Sequence, residues 1–195
     1  MTTNLWVVVP ALDEAENLMV VVPRIVTELA LLDVDGHVLV VDDGSTDKTR
    51  EVMVDLGERY PETHVISLGR NFGKASALRR GFDRALAEGA EIVVMMDADG
   101  QDDPAELPLL LARLEDGADL VTGARTVRND RFVKRTTSKL YNAATGRLSG
   151  APGKDFNSGF KVMRAEVARN ASPMLYGELH RYLTVVAHWL GFRVA

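Results

Sequence analysis

A short apolar run that ends at two closely spaced carboxylates limits what this chain of 195 residues can fold into. The run covers residues 93–96, and Asp97, Ala98 and Asp99 follow it directly. Because every position of the run is apolar, both faces of the strand need cover, as in the middle of a parallel sheet. Open sheets of this kind bind ligands at the carboxyl ends of their strands. The two carboxylates therefore predict a site for a hard divalent cation that carries phosphate oxygens.

Strand and helix patterns alternate along the chain through about residue 123. The segments that read as strands are 5–9, 37–41, 64–68, 93–96 and 119–122. The segments that read as helices are about 13–32, 45–60, 75–88 and 105–115. This alternation predicts an α/β fold, with a mainly parallel, doubly wound sheet, helices on both faces and right-handed crossovers. The later segments predict a basic helix at about 132–148, a strand at 160–163 on the far side of the sheet, and a final helix at 178–190.

Acidic pairs follow three of the predicted strands. They are Asp13 with Glu14, Asp42 with Asp43, and Asp97 with Asp99. Adjacent parallel strands bring their carboxyl ends to one edge, so we expect the three pairs to share one crevice. Carboxylates there can accept hydrogen bonds from a nucleobase and a ribose, and can bind a metal. One such pair alone could simply cap a helix, but three at equivalent positions favour a ligand site.

The composition excludes several classes of protein. There is no cysteine, so disulfides and thiolate metal sites are excluded. The net charge of -5 argues against a general nucleic-acid binder. A local reversal occurs at 125–139, which holds six basic residues and one acid. These cations suit a phosphate group or anionic lipid headgroups, although a solvated helix face is the alternative. The glycine-rich phosphate loops of dinucleotide oxidoreductases and P-loop NTPases are absent.

Several segments resemble the successive motifs of family 2 glycosyltransferases, which have the GT-A fold. The first three are Val-Pro-Ala-Leu-Asp-Glu-Ala-Glu-Asn at 9–17, Val-Asp-Asp-Gly-Ser-Thr-Asp at 41–47 and Asp-Ala-Asp-Gly-Gln at 97–101. The segments that narrow the resemblance are 70–74, 102–104, 123–125, 155–161 and 180–182. Together they resemble the polyprenyl-phosphate glycosyltransferases, the group around dolichyl-phosphate mannose synthase and bacterial undecaprenyl-phosphate sugar transferases. The resemblance covers nearly the whole chain.

The resemblance implies an inverting enzyme that moves a sugar from a UDP- or GDP-linked donor to a polyprenyl phosphate, with Mg²⁺ or Mn²⁺. The Gln-x-x-Arg-Trp motif of processive polysaccharide synthases is absent, which disfavours a polymerising enzyme. One alternative is a nucleotidyltransferase that makes nucleotide-sugars. Such an enzyme is expected to have a basic glycine-rich loop after its first strand, where this chain has Pro10 and acids. The other alternative is a catalytically silent module that binds nucleotide-sugars.

The resemblance also implies roles for individual residues. Those implied to hold the nucleotide are Pro10, Leu12, Asp13, Glu14, Asp42 or Asp43, Lys74, Asp97 and Ala98. Those implied to hold the metal are Asp97, Asp99 and Gln101. Those implied to complete the catalytic pocket are Asp99, Gln101, Arg125, Asp155 and Arg181. Those implied to meet the acceptor phosphate are Arg125, Arg131, Arg135 and Ser138. The family often has Tyr-Asn at positions 12 and 13, so Leu12 lacks the aromatic ring that could stack on the base.

We expect one catalytic domain over residues 1–195, working at the cytoplasmic face of a membrane. No run of about 18 apolar residues is present, and the first residues lack the features of a signal peptide. The last seven residues read as the entry to a strand, and family members usually continue into amphipathic or transmembrane helices. The sequence therefore predicts a fragment that ends before its membrane-associated part.

Overall fold

A six-stranded sheet runs through the computed structural model, which describes residues 2–123 and 158–195. Its strands in chain order are β1 (Thr3–Ala11), β2 (Val34–Asp42), β3 (Thr63–Ser67), β4 (Ile92–Met95), β5 (Leu120–Thr122) and β6 (Lys161–Arg164). Across the sheet the order is β3-β2-β1-β4-β6-β5. The first four strands are mutually parallel, and β6 is antiparallel to both of its neighbours. The predicted α/β fold with a mainly parallel sheet is confirmed.

Helices cover both faces of this sheet. They are α1 (Ala15–Ala30), α2 (Thr49–Arg59), α3 (Lys74–Ala87), α4 (Leu107–Glu115), α5 (Ala165–Ala171) and α6 (Leu183–Trp189). Side chains alternate along each strand, so β1 divides its residues between two cores. Val7 and Val9 pack with α1, α2 and α4, whereas Val8 packs with α3, α5 and α6. Each fully buried valine stabilises the fold by about 1.5–3 kcal/mol relative to exposure, and these layers pack the central strand from both faces.

The strands that carry the acidic pairs are neighbours. β1 lies between β2 and β4, and all three run in the same direction. At the carboxyl edge, the Asp43 N–H donates to the Ala11 carbonyl at 2.8 Å, which holds the ends of β1 and β2 together. The Met96 N–H donates to the Val8 carbonyl at 3.1 Å and joins β4 to the same edge. The three acidic pairs therefore follow neighbouring strands at one edge, as predicted.

The return of the chain after residue 157 differs from the prediction. The strand predicted on the far side of the sheet is β6, and it lies between β4 and β5. Val162 and Met163 are fully buried on opposite faces, so an interior position satisfies both side chains. The predicted final helix is a 3₁₀ turn (Leu179–Tyr182) followed by α6, and α5 was not predicted. The predicted basic helix at 132–148 lies outside the described residues.

The last residues extend the sheet beside β5. Val194 pairs with Leu120 in a parallel bridge, and the Thr122 N–H donates to the Ala195 carbonyl at 2.9 Å. This agrees with the strand entry predicted for the final segment. Within residues 2–123 and 158–195, no helix combines the length and the apolar character needed to cross a bilayer.

Candidate active site

A cleft of about 330 Å³ opens at the carboxyl edge of β1, β2 and β4. Its lining comes from all three strand ends and from the start of α3. The lining residues are Pro10, Ala11, Leu12, Glu14, Asp43, Asn71, Gly73, Lys74, Asp97, Ala98 and Asp99. The cleft therefore lies where open α/β sheets bind ligands.

The turn after β4 presents two carboxylates to this cleft. The Asp97 Oδ1 accepts from the Lys74 Nζ at 2.5 Å, and the Asp99 Oδ1 accepts from the Gln101 N–H at 3.0 Å. Ala98 between them is buried, so the turn is anchored in the core while Asp99 is exposed. Lys74 is the first residue of α3, whose amino end favours anions. Cation, helix end and carboxylates thus meet at one point.

A second cavity of about 280 Å³ adjoins the first. The two share Lys74, Asp97 and Asp99. The remaining lining of the second cavity is Met95, Ser158, Gly159, His180 and Arg181. The charged turn after β4 is therefore the boundary between two compartments, a suitable place for the diphosphate of a two-part ligand.

Gly159 lies directly against the carboxylate of Asp97. A Cβ atom on Gly159 would be 2.4 Å from the Asp97 Cγ, much closer than any van der Waals contact. Two residues further on, Lys161 is fully buried, and its ammonium donates to the Ser158 carbonyl. The segment before β6 is thus fixed in place, and it confines Asp97 from one side.

The last two residues of the second cavity come from the turn before α6. His180 is buried, and its Nδ1 lies 3.3 Å from the Gly177 carbonyl oxygen. Burial lowers the pKa of His180, and the nearby Lys74 charge adds to the effect. Arg181 is exposed, and its Nε lies 2.7 Å from the Glu178 Oε2. The turn therefore supplies an exposed cation at the second cavity beside a histidine that favours its neutral form.

Asp43 holds the loop between β3 and α3. Its two carboxylate oxygens accept from the Phe72 and Gly73 N–H groups, each at 2.8 Å. The side chain is 3% exposed, and it still contributes to the cleft wall. Gly44 allows the close approach, since a Cβ there would be 2.3 Å from the Arg70 carbonyl carbon.

Asp42 is directed away from the cleft. It is fully buried, its Oδ1 accepts from the Ser45 N–H at 2.8 Å, and its Oδ2 lies 3.3 Å from the Arg50 Nη2. Burial raises the pKa of Asp42, but hydrogen bonds from Ser45 and Arg50 outweigh burial and leave the pKa below its usual value. Between the two neighbouring aspartates, only Asp43 lines the cleft formed by the described residues.

Asp13 joins the loops that follow β1 and β2. It has a φ of 55°, its Oδ1 accepts from the Thr46 N–H at 2.8 Å, and its own N–H donates to the Ser45 Oγ at 2.9 Å. The side chain turns toward the second loop, and the neighbouring Glu14 lines the cleft instead. Glu14 is held through its N–H, which donates to the Thr49 Oγ1 at 2.8 Å.

The structure brings together most of the predicted site residues that it describes. Those that line one or both cavities are Pro10, Leu12, Glu14, Asp43, Lys74, Asp97, Ala98, Asp99 and Arg181. Asp13, Asp42 and Gln101 lie in the adjoining turns, and the ligand contacts proposed for them stay predictions. Those outside the described residues are Arg125, Arg131, Arg135, Ser138 and Asp155.

The cavities also include residues to which the sequence analysis assigned no role. They are Asn71, Gly73, Ser158, Gly159 and His180. All five belong to the segments that carry the family resemblance. The signal was present in the motifs, but a glycine or an amide in a motif does not show which cavity it lines.

The donor set on the turn after β4 fits a divalent cation that arrives with a phosphorylated ligand. Asp97 and Asp99 supply the hard oxygen donors that Mg²⁺ and Mn²⁺ prefer. The Lys74 ammonium at Asp97 shows that this carboxylate already accepts a cation. In the part of the chain that the structure describes, no group of three or more acidic, histidine or cysteine residues could hold a metal. Phosphate oxygens and water are suitable ligands for further coordination positions.

Comparison with known proteins identifies the family. The family model for glycosyl transferase family 2 matches residues 6–171. The chain belongs to this family. The match includes all three acidic pairs and the start of α3, so the resemblance predicted from the motifs is confirmed.

One similar curated protein is the undecaprenyl-phosphate 4-deoxy-4-formamido-L-arabinose transferase of Photorhabdus laumondii. It is 32% identical over 163 residues, which are 83% of this chain and 49% of that protein. The chain thus spans about half the length of this curated relative.

Solved structures share the fold. Glucosyl-3-phosphoglycerate synthase from Mycobacterium tuberculosis, in complex with Mn²⁺ and UDP-glucose, is 29% identical with a TM-score of 0.63. The match covers 85% of this chain and 57% of that one. A mannosyltransferase from Pyrobaculum calidifontis has a TM-score of 0.70 over 100% of this chain and 54% of its own. Its identity of 21% supports the shared fold alone.

Proposed function

We propose that the chain carries the catalytic site of an inverting glycosyltransferase, which moves a sugar from a nucleoside diphosphate donor to a polyprenyl phosphate. The observation that carries this proposal is the pair of adjoining cavities that share Lys74, Asp97 and Asp99. A donor has a nucleoside and a sugar on either side of its diphosphate. Two cavities with a charged boundary match that order.

The nucleoside belongs in the first cavity. Pro10, Leu12 and Glu14 on one wall and Asp43 on the other offer an apolar surface and carboxylate acceptors for a base and a ribose. Leu12 is 40% exposed, so it can form an aliphatic contact with the base. The similar synthase in complex with UDP-glucose favours a uridine donor for this chain, and a guanosine donor is the alternative.

The diphosphate belongs at the boundary. Lys74 and the amino end of α3 can donate hydrogen bonds to phosphate oxygens. Asp97 and Asp99 would hold Mg²⁺ or Mn²⁺, which, when bound, neutralises the charge that develops on the leaving diphosphate. Lys74 would then move from the carboxylate toward the phosphate. The complex of the similar synthase with Mn²⁺ supports a divalent ion here.

The sugar and the acceptor phosphate belong in the second cavity, between Asp97, His180 and Arg181. An acceptor oxygen forms a bond to the anomeric carbon as the bond from that carbon to the β-phosphate oxygen breaks. The electron pair leaves with the nucleoside diphosphate, and one displacement inverts the anomeric centre. An ionised phosphate is already a nucleophile, so the site needs cations more than a base. Arg181 is such a cation, and the predicted Arg125, Arg131 and Arg135 are further candidates.

A different acceptor is the strongest competing proposal. The similar synthase from Mycobacterium tuberculosis acts, by its name, on 3-phosphoglycerate, a small phosphorylated acid. The curated relative is named as an undecaprenyl-phosphate transferase at a slightly higher identity, and the motifs favour the same class. Membership of glycosyl transferase family 2 counts against a nucleotidyltransferase.

The test is a two-part assay with the chain as it exists. Thermal shifts with UDP, GDP and their sugars, each with and without Mn²⁺, identify the donor through its stabilisation of the fold. Transfer from that donor is then measured to undecaprenyl phosphate, to 3-phosphoglycerate and to water. We expect Mn²⁺-dependent stabilisation by one nucleotide and transfer to the lipid phosphate. Transfer to 3-phosphoglycerate and not to the lipid would show that the proposed acceptor is wrong. Stabilisation by a nucleotide without any transfer would favour a catalytically silent binding module.

A further inference from the structure

A third depression, of about 500 Å³, lies beside the active site along α3. We call it the α3 groove, and its lining residues are Leu68, Phe72, Ser76, Arg79, Arg80, Asp83, Leu175 and Tyr176. Phe72 directly precedes Gly73 of the nucleotide cavity, and Tyr176 directly precedes the Gly177 turn that holds His180. The α3 groove therefore begins close to both cavities and continues along α3.

Large aromatic side chains project from the α3 groove. Phe72 is 52% exposed and Tyr176 is 68% exposed. Below them, Leu175 is buried and forms the floor. Tyrosine has an apolar body and a polar end, which suits the boundary between lipid and water. The two exposed rings and the buried leucine lie together in one groove, and grouped apolar side chains of this kind mark interaction sites more often than single exposed ones do.

Arginine side chains dominate the charge of the groove. The Arg80 side chain forms no ion pair or hydrogen bond within the described residues, and the Arg79 Nε is 3.9 Å from the Asp83 Oδ2. Asp83, the acid of the lining, also accepts from the Ser172 Oγ at 2.6 Å. Arg70 adds a guanidinium 4.7 Å from the centre of the Phe72 ring. A chain with a net charge of -5 thus presents a cationic, aromatic face beside its active site.

We propose that the α3 groove docks the chain on an anionic phospholipid surface, with Arg79 and Arg80 at the headgroups and Phe72 and Tyr176 in the interface. The complementary charge and the exposed rings support this occupant. The choice of a bilayer rests on the proposed lipid-phosphate acceptor, because such an acceptor must be reached at a membrane. Docking through this face would bring both cavities close to the bilayer surface, since Phe72 and Tyr176 lie next to residues of the cavity walls.

The experiment is flotation with vesicles of phosphatidylcholine alone and of phosphatidylcholine with about one third phosphatidylglycerol. The variants are Arg79→Ala/Arg80→Ala, which removes the cations, and Phe72→Ala/Tyr176→Ala, which removes the rings. The matched control is Arg24→Ala/Arg59→Ala, which removes the same charge from exposed positions on α1 and α2. No donor or acceptor is present, so the result is independent of sugar transfer.

We expect the chain to bind the anionic vesicles and not those of phosphatidylcholine alone. The affinity should fall as the salt concentration rises. Each arginine contributes about fivefold near such a surface, so the variant that lacks both should bind about 25-fold more weakly. The aromatic variant should also bind more weakly, and the control should match the unchanged chain. Stabilisation by nucleotide and Mn²⁺ should persist in the arginine variant, since neither arginine lines the nucleotide cavity.

Equal vesicle binding by the arginine variant and the control would overturn the proposal. A second result would also overturn it: the unchanged chain does not bind vesicles but forms a concentration-dependent dimer, and the arginine variant stays monomeric. The α3 groove would then bind a second copy of the chain. Failure of the vesicle assay with intact nucleotide binding would leave the proposed function standing. Vesicle binding without nucleotide binding would count against the proposed function and would leave the membrane-docking surface standing.

Discussion

The carboxylates on the two sides of the cleft have different surroundings. Asp42 and Asp43, after β2, are buried, and their oxygens accept from backbone N–H groups and from Arg50. Asp97 and Asp99, after β4, are more exposed: the flexible Lys74 side chain donates to Asp97, and the Gln101 N–H donates to one oxygen of Asp99. In the first pair, Asp43 is fixed in the cleft wall and Asp42 is directed away from the cleft, whereas the second pair is held by fewer bonds to the backbone.

This difference shows that an acidic cluster after a strand has two possible uses. A carboxylate already bonded to backbone N–H groups would lose those bonds on taking a new ligand, at about 1.5–3 kcal/mol for each charged hydrogen bond. A carboxylate held by a lysine side chain can exchange that cation for another at little cost. The proposed ligand contacts therefore concentrate on the β4 side, and the following predictions test that division.

The largest effect is expected for Asp99→Ala. We expect sugar transfer to fall about a thousandfold, because a cation on the leaving diphosphate contributes several kcal/mol to catalysis. The free energy of unfolding should stay within about 0.5 kcal/mol of the unchanged chain, since Asp99 is exposed. The control is Asp33→Ala, another exposed aspartate, remote from the cleft. Full transfer by the Asp99 variant would remove the proposed metal role.

The second prediction concerns Asp43→Ala, in the cleft wall that follows β2. Loss of two charged hydrogen bonds to the Phe72 and Gly73 N–H groups should lower the free energy of unfolding by about 3 kcal/mol. Chemical denaturation measures this change. Asp43→Asn keeps one acceptor oxygen, so its free energy of unfolding should lie between those of Asp43→Ala and the unchanged chain. A loss below about 1 kcal/mol would show that the loop does not depend on this carboxylate.

The third prediction tests how closely Asp97 is held. Gly159→Ala would place a Cβ 2.4 Å from the Asp97 Cγ, so the carboxylate must shift. We expect transfer to fall about a hundredfold, because a displacement of about 1 Å at a reacting group has effects of that size. Gly69→Ala is the matched control, since nothing lies within 4 Å of a Cβ at that position. Equal activity in the two variants would contradict the tight contact with Asp97.

The smallest expected effect is the contribution of Asp42 to the pH dependence of the free energy of unfolding. The folded pKa of Asp42 is below the unfolded value of about 3.9, so the unfolded chain binds more protons near pH 4. Stability from Asp42 is therefore complete above about pH 4 and is lost as the pH falls through the folded pKa. In Asp42→Asn, the free energy of unfolding should depend less steeply on pH between about 5 and 3. An unchanged slope would show that Asp42 does not stabilise the fold through its charge.

The sequence predicted the edge of the sheet that carries the site. Apolar runs followed by acids marked β1, β2 and β4, and the preference for parallel neighbours placed their ends together. The pattern of apolar residues is local and has a clear period, so these elements could be predicted one by one. The family motifs added Lys74 and Arg181.

The orientation of each acid could not be predicted in the same way. Asp13 has a backbone φ of 55° and its carboxylate accepts from the loop after β2, and Asp43 accepts from the N–H of Phe72, which is 29 residues further along the chain. The place of β6 between β4 and β5 depends on contacts across about 70 residues of sequence. Such features arise from tertiary packing, which periodicity and motif spacing do not encode.

The most direct test of the central claim is an anomalous diffraction map from crystals soaked with MnCl₂ and either UDP or GDP. We expect one manganese peak between the carboxylates of Asp97 and Asp99, with the diphosphate beside it and the nucleoside against Leu12 and Asp43. A peak at another position, or a nucleotide bound without any contribution from these two carboxylates, would contradict the claim.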